Sequence, residues 1–289
     1  MNDRAETRTA SSVLAATAHL GPVDGVLFDL DGVIYAGPEV VPGAQETLTR
    51  LGEAGIPYGF VTNNASRSAE DIAAQIRSYG LPAEAAQVTT SAQVAARALA
   101  AEFPSGAPIL TLGSPALADC LREVGLAPVA AGSGTVPAAV VQGFHRELNW
   151  YDFAAACEAI RAGAAYWATN LDISMPTDRG PMPGNGSFVR IVETITGVEP
   201  TVTGKPSALM ITAAAAAIGV QRPLMIGDRL DTDIAGGRAA GYPTALVLTG
   251  IHQVEDARAA GAEAQPDLIV AALPELFEPV TGRSTEETS

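Results

Sequence analysis

Two aspartates separated by one leucine, Asp29 and Asp31, end the apolar run of GVLFDLDGVIYAG (Gly25–Gly37), with Gly32 directly behind them. Like charges placed together where a buried strand runs out serve either an ordinary turn or a reaction in which one carboxylate attacks and another moves protons. Three more polar clusters follow: Thr62, Asn63 and Asn64 in VTNN, Lys205 in TGKPS, and Asp228 and Asp233 in GDRLDTD. Each alone has a bland reading. Asp-x-Asp-Gly is a common turn or calcium-type loop, Asn tolerates strand-ending turns, Pro206 can open a helix, and Asp231 or Thr232 can cap one. Chance does not readily supply all four in this order, each at or near a predicted strand end.

Such a set can act on a phosphate ester. A phosphate monoester is anionic, so a carboxylate that attacks it needs a cation alongside. Mg²⁺ prefers hard oxygens and takes one or two carboxylates plus substrate phosphate. Asp29 and Asp228 can supply these, with the backbone carbonyl of Asp31 as a further ligand. Asp29 is then the candidate nucleophile. Asp31 is the candidate acid that protonates the leaving oxygen and the base that later activates water. The Thr62 hydroxyl, the backbone N–H groups of Gly32 and Asn63, and the Lys205 ammonium are candidates to hold the non-bridging oxygens. His19, His145 and His252 lie outside these segments, and the scheme needs none of them.

The elements that must position these groups alternate strand and helix. GVLFDL, IPYGFVTN, RPLMIGD and PTALVLTG read as buried strands. VPGAQETLTRLGEAG, SRSAEDIAAQIRSYG (with a Ser68–Asp71 capping pattern), ITAAAAAIGV and TDIAGGRAAG read as helices. This alternation predicts an α/β parallel sheet with ligands at the carboxyl ends of its strands. About 140 residues separate Thr62 from Lys205, far more than one crossover requires. They carry their own alternation, with strands in APILTLG, PAAVVQGF and AAYWATN and helices near Ser114–Gly125 and Trp150–Gly163. An inserted α/β domain is therefore expected over residues 88–200, within a discontinuous core of residues 23–87 and 201–280. Residues 1–22 are expected to be a flexible extension and residues 281–289 a disordered tail.

Composition narrows the rest. The chain has 289 residues, 47% hydrophobic and 17% charged, which suits one large domain or two smaller ones. A formal net charge of −15 leaves no basic excess for a nucleic acid. An anionic substrate must therefore be drawn in by local charge or a metal. No apolar run is long enough to span a bilayer, and MNDRAETRTASSVLAATAHL mixes acids with its arginines, unlike a secretion signal. Cys120 and Cys157 lack metal-ligand spacing and read as free thiols. The expected location is cytoplasmic.

DLDGV, VTNN, GKPS and GDRLDTDI resemble the four motifs of the haloacid-dehalogenase-like hydrolase superfamily. The long insert between the second and third resembles its class IIA branch, which includes NagD-like, nitrophenylphosphatase, and phosphoglycolate or glycerol-phosphate phosphatases. The likeness runs from Val23 to about Pro279. It implies a Rossmann-like parallel-sheet core with a large α/β cap, and Asp29 as nucleophile with Asp31 as acid and base. It also implies that Thr62 and Lys205 bind phosphate, that Asp29, Asp31 and Asp228 surround Mg²⁺, and that Asp233 orients Lys205 or metal-bound water. The dehalogenases that name the superfamily lack the second Asp of the first motif, so Asp31 points to phosphate chemistry.

The implied activity is Mg²⁺-dependent hydrolysis of small phosphate monoesters through an aspartyl-phosphate, with glycerol 3-phosphate or 2-phosphoglycolate as substrates. A phosphoryl transferase (mutase) and a non-catalytic phosphometabolite-binding protein are the alternatives. ATNLDISMPTDRGPMPGNGS (Ala168–Ser187) resembles the cap segment that faces the active site, making Asn170, Asp172 and Arg179 candidates for the leaving group, beside Asn63 and Asn64. A Gly/Pro-rich loop that satisfies its own backbone is the competing reading. Trp150–Tyr151 and Tyr166–Trp167 read as cap core or a cap-to-cap interface. Class IIA relatives often pair through their caps, so a homodimer is expected, with no nucleic-acid or membrane partner.

Overall fold

The computed structural model describes residues 10–175, 177 and 179–279. The first of its two large sheets runs in space Leu268–Val270, Thr244–Val247, Leu224–Gly227, Val26–Phe28, Tyr58–Thr62, Val88–Thr90, with every neighbouring pair parallel. Counted along the chain this order is six, five, four, one, two, three. That is the doubly wound arrangement, whose connections reverse direction between the first strand and the fourth. The reversal opens a crevice at the carboxyl ends of Val26–Phe28 and Leu224–Gly227, and the residues immediately after these strands are Asp29 and Asp228.

Alternate residues of these strands feed two apolar layers. Phe28, Phe60 and Ile226 pack against the helices Ala44–Glu53 and Ala69–Ser78. Leu27, Val61 and Met225 pack under the Ala-rich helix Ala208–Ala217. A sheet covered on both faces needs wholly apolar strands, and both central strands are buried throughout. Helix Ala69–Ser78 begins at the predicted capping box: the Ser68 hydroxyl accepts the Asp71 N–H at 3.1 Å, and the Asp71 carboxylate accepts the Ser68 N–H at 3.2 Å.

In chain order, the strands of the second sheet fall between the first-sheet strands Val88–Thr90 and Leu224–Gly227. Its order is Thr201–Val202, Ala165–Ala168, Ala139–Gln142, Pro108–Leu112, Ala127–Val129, again all parallel. Ile109, Val141 and Trp167 pack against helices Ser91–Glu102 and Pro115–Glu123. Leu110, Val140 and Tyr166 pack against Trp150–Arg161 and Asn185–Thr196.

Several expectations need correction. The expected division at residues 88 and 200 is displaced on both sides. Val88–Thr90 pairs with Phe60–Thr62 in the first sheet, and Thr201–Val202 pairs with Trp167–Ala168 in the second. Residues 10–22 are no loose extension: helix Ala10–Val13 and the helical turn Ala15–Leu20 bury Leu14, Ala16 and Thr17 against the first core, and Arg222 donates to the carbonyls of Leu20 and Pro22. Residues 1–9 and the expected tail at 281–289 lie outside the described residues. Tyr166 and Trp167 are core, whereas Trp150 and Tyr151 are 73% and 74% exposed, with rings edge-on at 5.3 Å. Both cysteines are free thiols, and among the described residues no helix is long and apolar enough to cross a membrane.

Leu14→Ala tests the docking of the N-terminal segment. Deleting a fully buried leucine side chain should cost about 2–5 kcal/mol in urea denaturation; a change near zero would mean that the segment does not belong to the core.

Candidate active site

The carboxyl edge of the first sheet gathers Asp29, Thr62, Lys205, Asp228 and Asp233, all buried. The Lys205 ammonium donates to Asp29 Oδ1 at 2.5 Å, Asp233 Oδ1 at 2.7 Å and the Val61 carbonyl at 3.2 Å, which uses its three N–H bonds. Asp233 Oδ2 accepts the Arg229 N–H at 3.1 Å. Asp228 Oδ2 accepts the Ile251 N–H at 2.8 Å, whereas its Oδ1 is buried with no hydrogen-bond partner. Asp29 Oδ2 has no partner among the described residues either. Thr62 Oγ1 accepts the Asn64 N–H at 3.1 Å, leaving the hydroxyl hydrogen available to a ligand.

Three glycines allow the carboxylates this close. A Cβ at Gly250 would collide with Asp228 and one at Gly227 with Asp233; at Gly32, where φ is +81°, a Cβ would stand 2.7 Å from Asp228 Oδ2. Gly250 belongs to a loop, Thr249–His252, that the sequence reading overlooked. This loop wraps the Asp228 side: Thr249 Oγ1 donates to the Gly32 carbonyl at 2.7 Å, the His252 N–H to the Asp228 carbonyl at 3.1 Å, and the Leu230 N–H to His252 Nδ1 at 3.1 Å. Its one sequence signal is the Thr-Gly that ends the predicted strand PTALVLTG.

Crowding of buried acids sets the electrostatics. Burial pushes the Asp29 carboxyl up to about 6, with Lys205 pulling it down and Asp228 pushing it further up. Burial also raises Asp228, reinforced by Asp233, and raises Asp233, reinforced by Asp29 against the pull of Lys205. Asp31 lies at the solvent-exposed mouth of the cleft, yet the protein packed around its carboxyl raises it too, with Lys205 opposing. Burial works against the Lys205 charge, but Asp233 and Asp29 outweigh it and hold the ammonium protonated. One ammonium cannot neutralise this many carboxylates. Carboxylate oxygens of Asp29, Asp228 and Asp233 lie within 4.8 Å of one another, and Asp228 Oδ1 lacks a partner. A hard divalent cation fits this donor set, since it supplies the missing charge and takes up the orphaned oxygen.

The other predicted residues fall as follows. The Gly32 N–H is not an oxyanion donor: it donates to the Tyr35 carbonyl at 2.8 Å, closing the turn behind Asp31. The Asn63 side chain is not free for substrate, because it is bonded to the Lys205 backbone and to Asp172. Exposed Asn64 accepts the Ser66 N–H at 2.8 Å, as turn asparagines do. Asn170 is buried, donating to the Asn63 carbonyl and accepting the Asp172 N–H. Arg179 lines a cleft of about 310 Å³ in the inserted part, with Phe144, Phe153 and Phe188, and has no ion-pair partner among the described residues. Asp231 caps nothing; it pairs with Arg229 at 2.7 Å.

Comparison with known proteins agrees with this geometry. Residues 26–127 match a model of haloacid dehalogenase-like hydrolases, and residues 202–276 match a HAD-hydrolase-like model. A D-glycerol 3-phosphate phosphatase of Mycobacterium tuberculosis is 45% identical over 234 residues, which cover 81% of this chain and 65% of that protein. The 5'-nucleotidase YutF of Bacillus subtilis is 38% identical over 233 residues, covering 80% of this chain and 89% of that one. Among solved structures, a glycerol phosphate phosphatase from M. tuberculosis in complex with magnesium matches with a TM-score of 0.84 at 43% identity, covering 89% of this chain and 77% of that one.

Asp29, Asp228 and Asp233 bind protons at higher pH when folded than when unfolded. The ion-free fold is therefore favoured at low pH and penalised as pH rises through about 6. A divalent cation lifts that penalty but competes with the protons. Mg²⁺ should raise the melting temperature at about pH 7.5 clearly more than at about pH 5, and Asp228→Asn should remove most of the gain. An equal rise at both pH values, or an undiminished rise in the variant, would place the ion elsewhere.

Proposed function

The chain belongs to the haloacid dehalogenase-like hydrolases, and from that premise we propose that it is a Mg²⁺-dependent phosphatase of small phosphate monoesters, working through an aspartyl-phosphate on Asp29. The observation that carries this reading is Asp29 at the switch point of the sheet, bonded to Lys205 on one oxygen and, among the described residues, unpartnered on the other. Glycerol 3-phosphate is the favoured substrate, supported by the activity for which the M. tuberculosis relative is named, with 2-phosphoglycolate next.

Asp29 Oδ2 attacks phosphorus as the ester P–O bond breaks, and Asp31 gives its proton to the departing alkoxide oxygen. Burial raises the Asp31 carboxyl, which favours its proton-carrying form. Asp31 then takes a proton from the attacking water, and the bond between Asp29 and phosphorus breaks to release inorganic phosphate. Thr62 directs its hydroxyl hydrogen at a non-bridging oxygen. The Lys205 N–H that serves Asp29 in the resting site passes to a phosphoryl oxygen as negative charge moves there. Asp29 and Asp228, with the Asp31 backbone carbonyl, would hold Mg²⁺, which would supply the charge neutralisation that lets one anion approach another. Asp233 holds Lys205 in place.

The second sheet with its helices serves as a cap over the cleft and limits access to small esters. The protein is assigned to the cytoplasm, with pairing between caps through the exposed Trp150 and Tyr151.

Asp29→Asn should lower phosphate release from glycerol 3-phosphate by about a thousandfold or more while the far-UV circular dichroism spectrum is kept. Chelation of Mg²⁺ should abolish turnover reversibly. Release with no acceptor sugar present separates hydrolysis from transfer, and near-normal rates in Asp29→Asn would refute the nucleophile.

A further inference from the structure

The backbone of Lys205 is held by a side chain from another strand end. Asn63 Oδ1 accepts the Lys205 N–H at 2.8 Å, and Asn63 Nδ2 donates to the Lys205 carbonyl at 3.1 Å, a two-point pairing like that between peptide groups. Nδ2 also reaches the two carboxylate oxygens of Asp172, at 3.2 and 3.3 Å. A glycine at 204 permits the approach, because a Cβ there would stand 2.6 Å from Asn63 Oδ1. An asparagine amide offers one oxygen and two N–H bonds, and here all are engaged.

Asp172 comes from the inserted part, four residues beyond the strand Ala165–Ala168. The same part grips the loop after Tyr58–Thr62 at other points. Asn170 Nδ2 donates to the Asn63 carbonyl at 2.8 Å, Ser114 Oγ to the Ala65 carbonyl at 2.7 Å, and Ser66 Oγ to the Phe144 carbonyl at 2.7 Å. None of these bonds reaches the Lys205 segment. The link from Asp172 through Asn63 continues to a group that touches the reacting centre, since Lys205 Nζ lies 2.5 Å from Asp29 Oδ1.

We propose that Asp172 is a positioning residue: by accepting from Asn63 it holds the amide that places Lys205 between Asp29 and Asp233, so that seating of the inserted part and assembly of the phosphate site are one event. The carboxylate offers only acceptors, and so holds the Asn63 amide in the one orientation that pairs with the Lys205 backbone. The inference rests on the phosphatase reading of the site. It gives Asp172 a task independent of which alcohol leaves.

That independence is the test. Asp172→Ala should lower kcat by about tenfold or more, by the same factor for nitrophenyl phosphate and glycerol 3-phosphate, with KM changed little. Asp172→Asn keeps an oxygen toward Asn63 and should restore most of the loss. Asn63→Ala should show a similar loss, and Asn63→Ala/Asp172→Ala should be no worse than Asn63→Ala alone. A Mg²⁺-induced rise in melting temperature retained by Asp172→Ala certifies that the fold and carboxylate cluster are intact. A loss that differs between the two esters, or that appears mainly in KM for one, would make Asp172 a leaving-group contact and overturn the proposal. Losses that multiply in the double variant would also overturn it. If Asp29→Asn abolishes turnover while Asp172→Ala is undiminished, the coupling fails alone; if Asp29→Asn stays active, the reading beneath it fails.

Discussion

One buried ammonium holds together a cluster of like charges that would otherwise drive the strand ends apart. Lys205 Nζ bridges Asp29 and Asp233 and takes the Val61 carbonyl as a third acceptor. Burying an ion costs several kcal/mol unless partners and hydrogen bonds compensate it, and here each charge supplies part of the compensation for the next. Removing Lys205 would strand Asp233, which is fully buried. Backbone N–H groups complete the arrangement, with Arg229 serving Asp233 and Ile251 serving Asp228. The orphaned oxygen of Asp228 and the Asp29 oxygen that has no partner among the described residues mark where this compensation stops short. The shortfall is negative, and it is local.

The sheet order follows from the same need. Placing the first and fourth strands side by side brings Asp29 and Asp228 to one crevice, while the crossovers leave on opposite sides and keep the crevice open. Glycines at 32, 227 and 250 then remove the side chains that would fill it. Among the described residues, the inserted part brings no carboxylate of its own into this cluster. Its contribution is hydrogen bonds to the loop Asn63–Ser66, with Asp172 the one acid among them.

Much of this could be read from the chain, for identifiable reasons. Asp29, Thr62 and Asp228 sit at the ends of short apolar runs, and such runs in alternation with amphipathic helices have few other solutions. Lys205 was legible because Gly204 and Pro206 mark a turn around the one lysine of the chain. The strands Val88–Thr90 and Thr201–Val202 were not legible, since segments of two or three residues carry no periodicity and are defined by the neighbour they pair with. The engagement of the Gly32 N–H is not legible, because a turn closing on Tyr35 leaves no trace in composition. Asn63 looked like a substrate ligand for a related reason: its partners, Lys205 and Asp172, stand 142 and 109 positions away. The docking of the segment around Leu14 is not legible either, because its partners, the turn Leu273–Phe277 and the rest of the first core, lie far along the chain.

The adjacency of Val26–Phe28 and Leu224–Gly227 has a consequence for biosynthesis. Roughly 200 residues of chain separate these neighbours, a long-range pairing that is slow to form. A ribosome delivers three first-sheet strands, then every strand of the second sheet, before the fourth emerges. Throughout that interval one flank of Val26–Phe28 is a bare backbone edge, the kind that recruits foreign strands. The second sheet, built from contiguous sequence, is free to complete meanwhile. A nascent chain stalled before Lys205 would therefore carry a finished second sheet beside an Asp29 that has neither its ammonium nor the neighbouring Asp228.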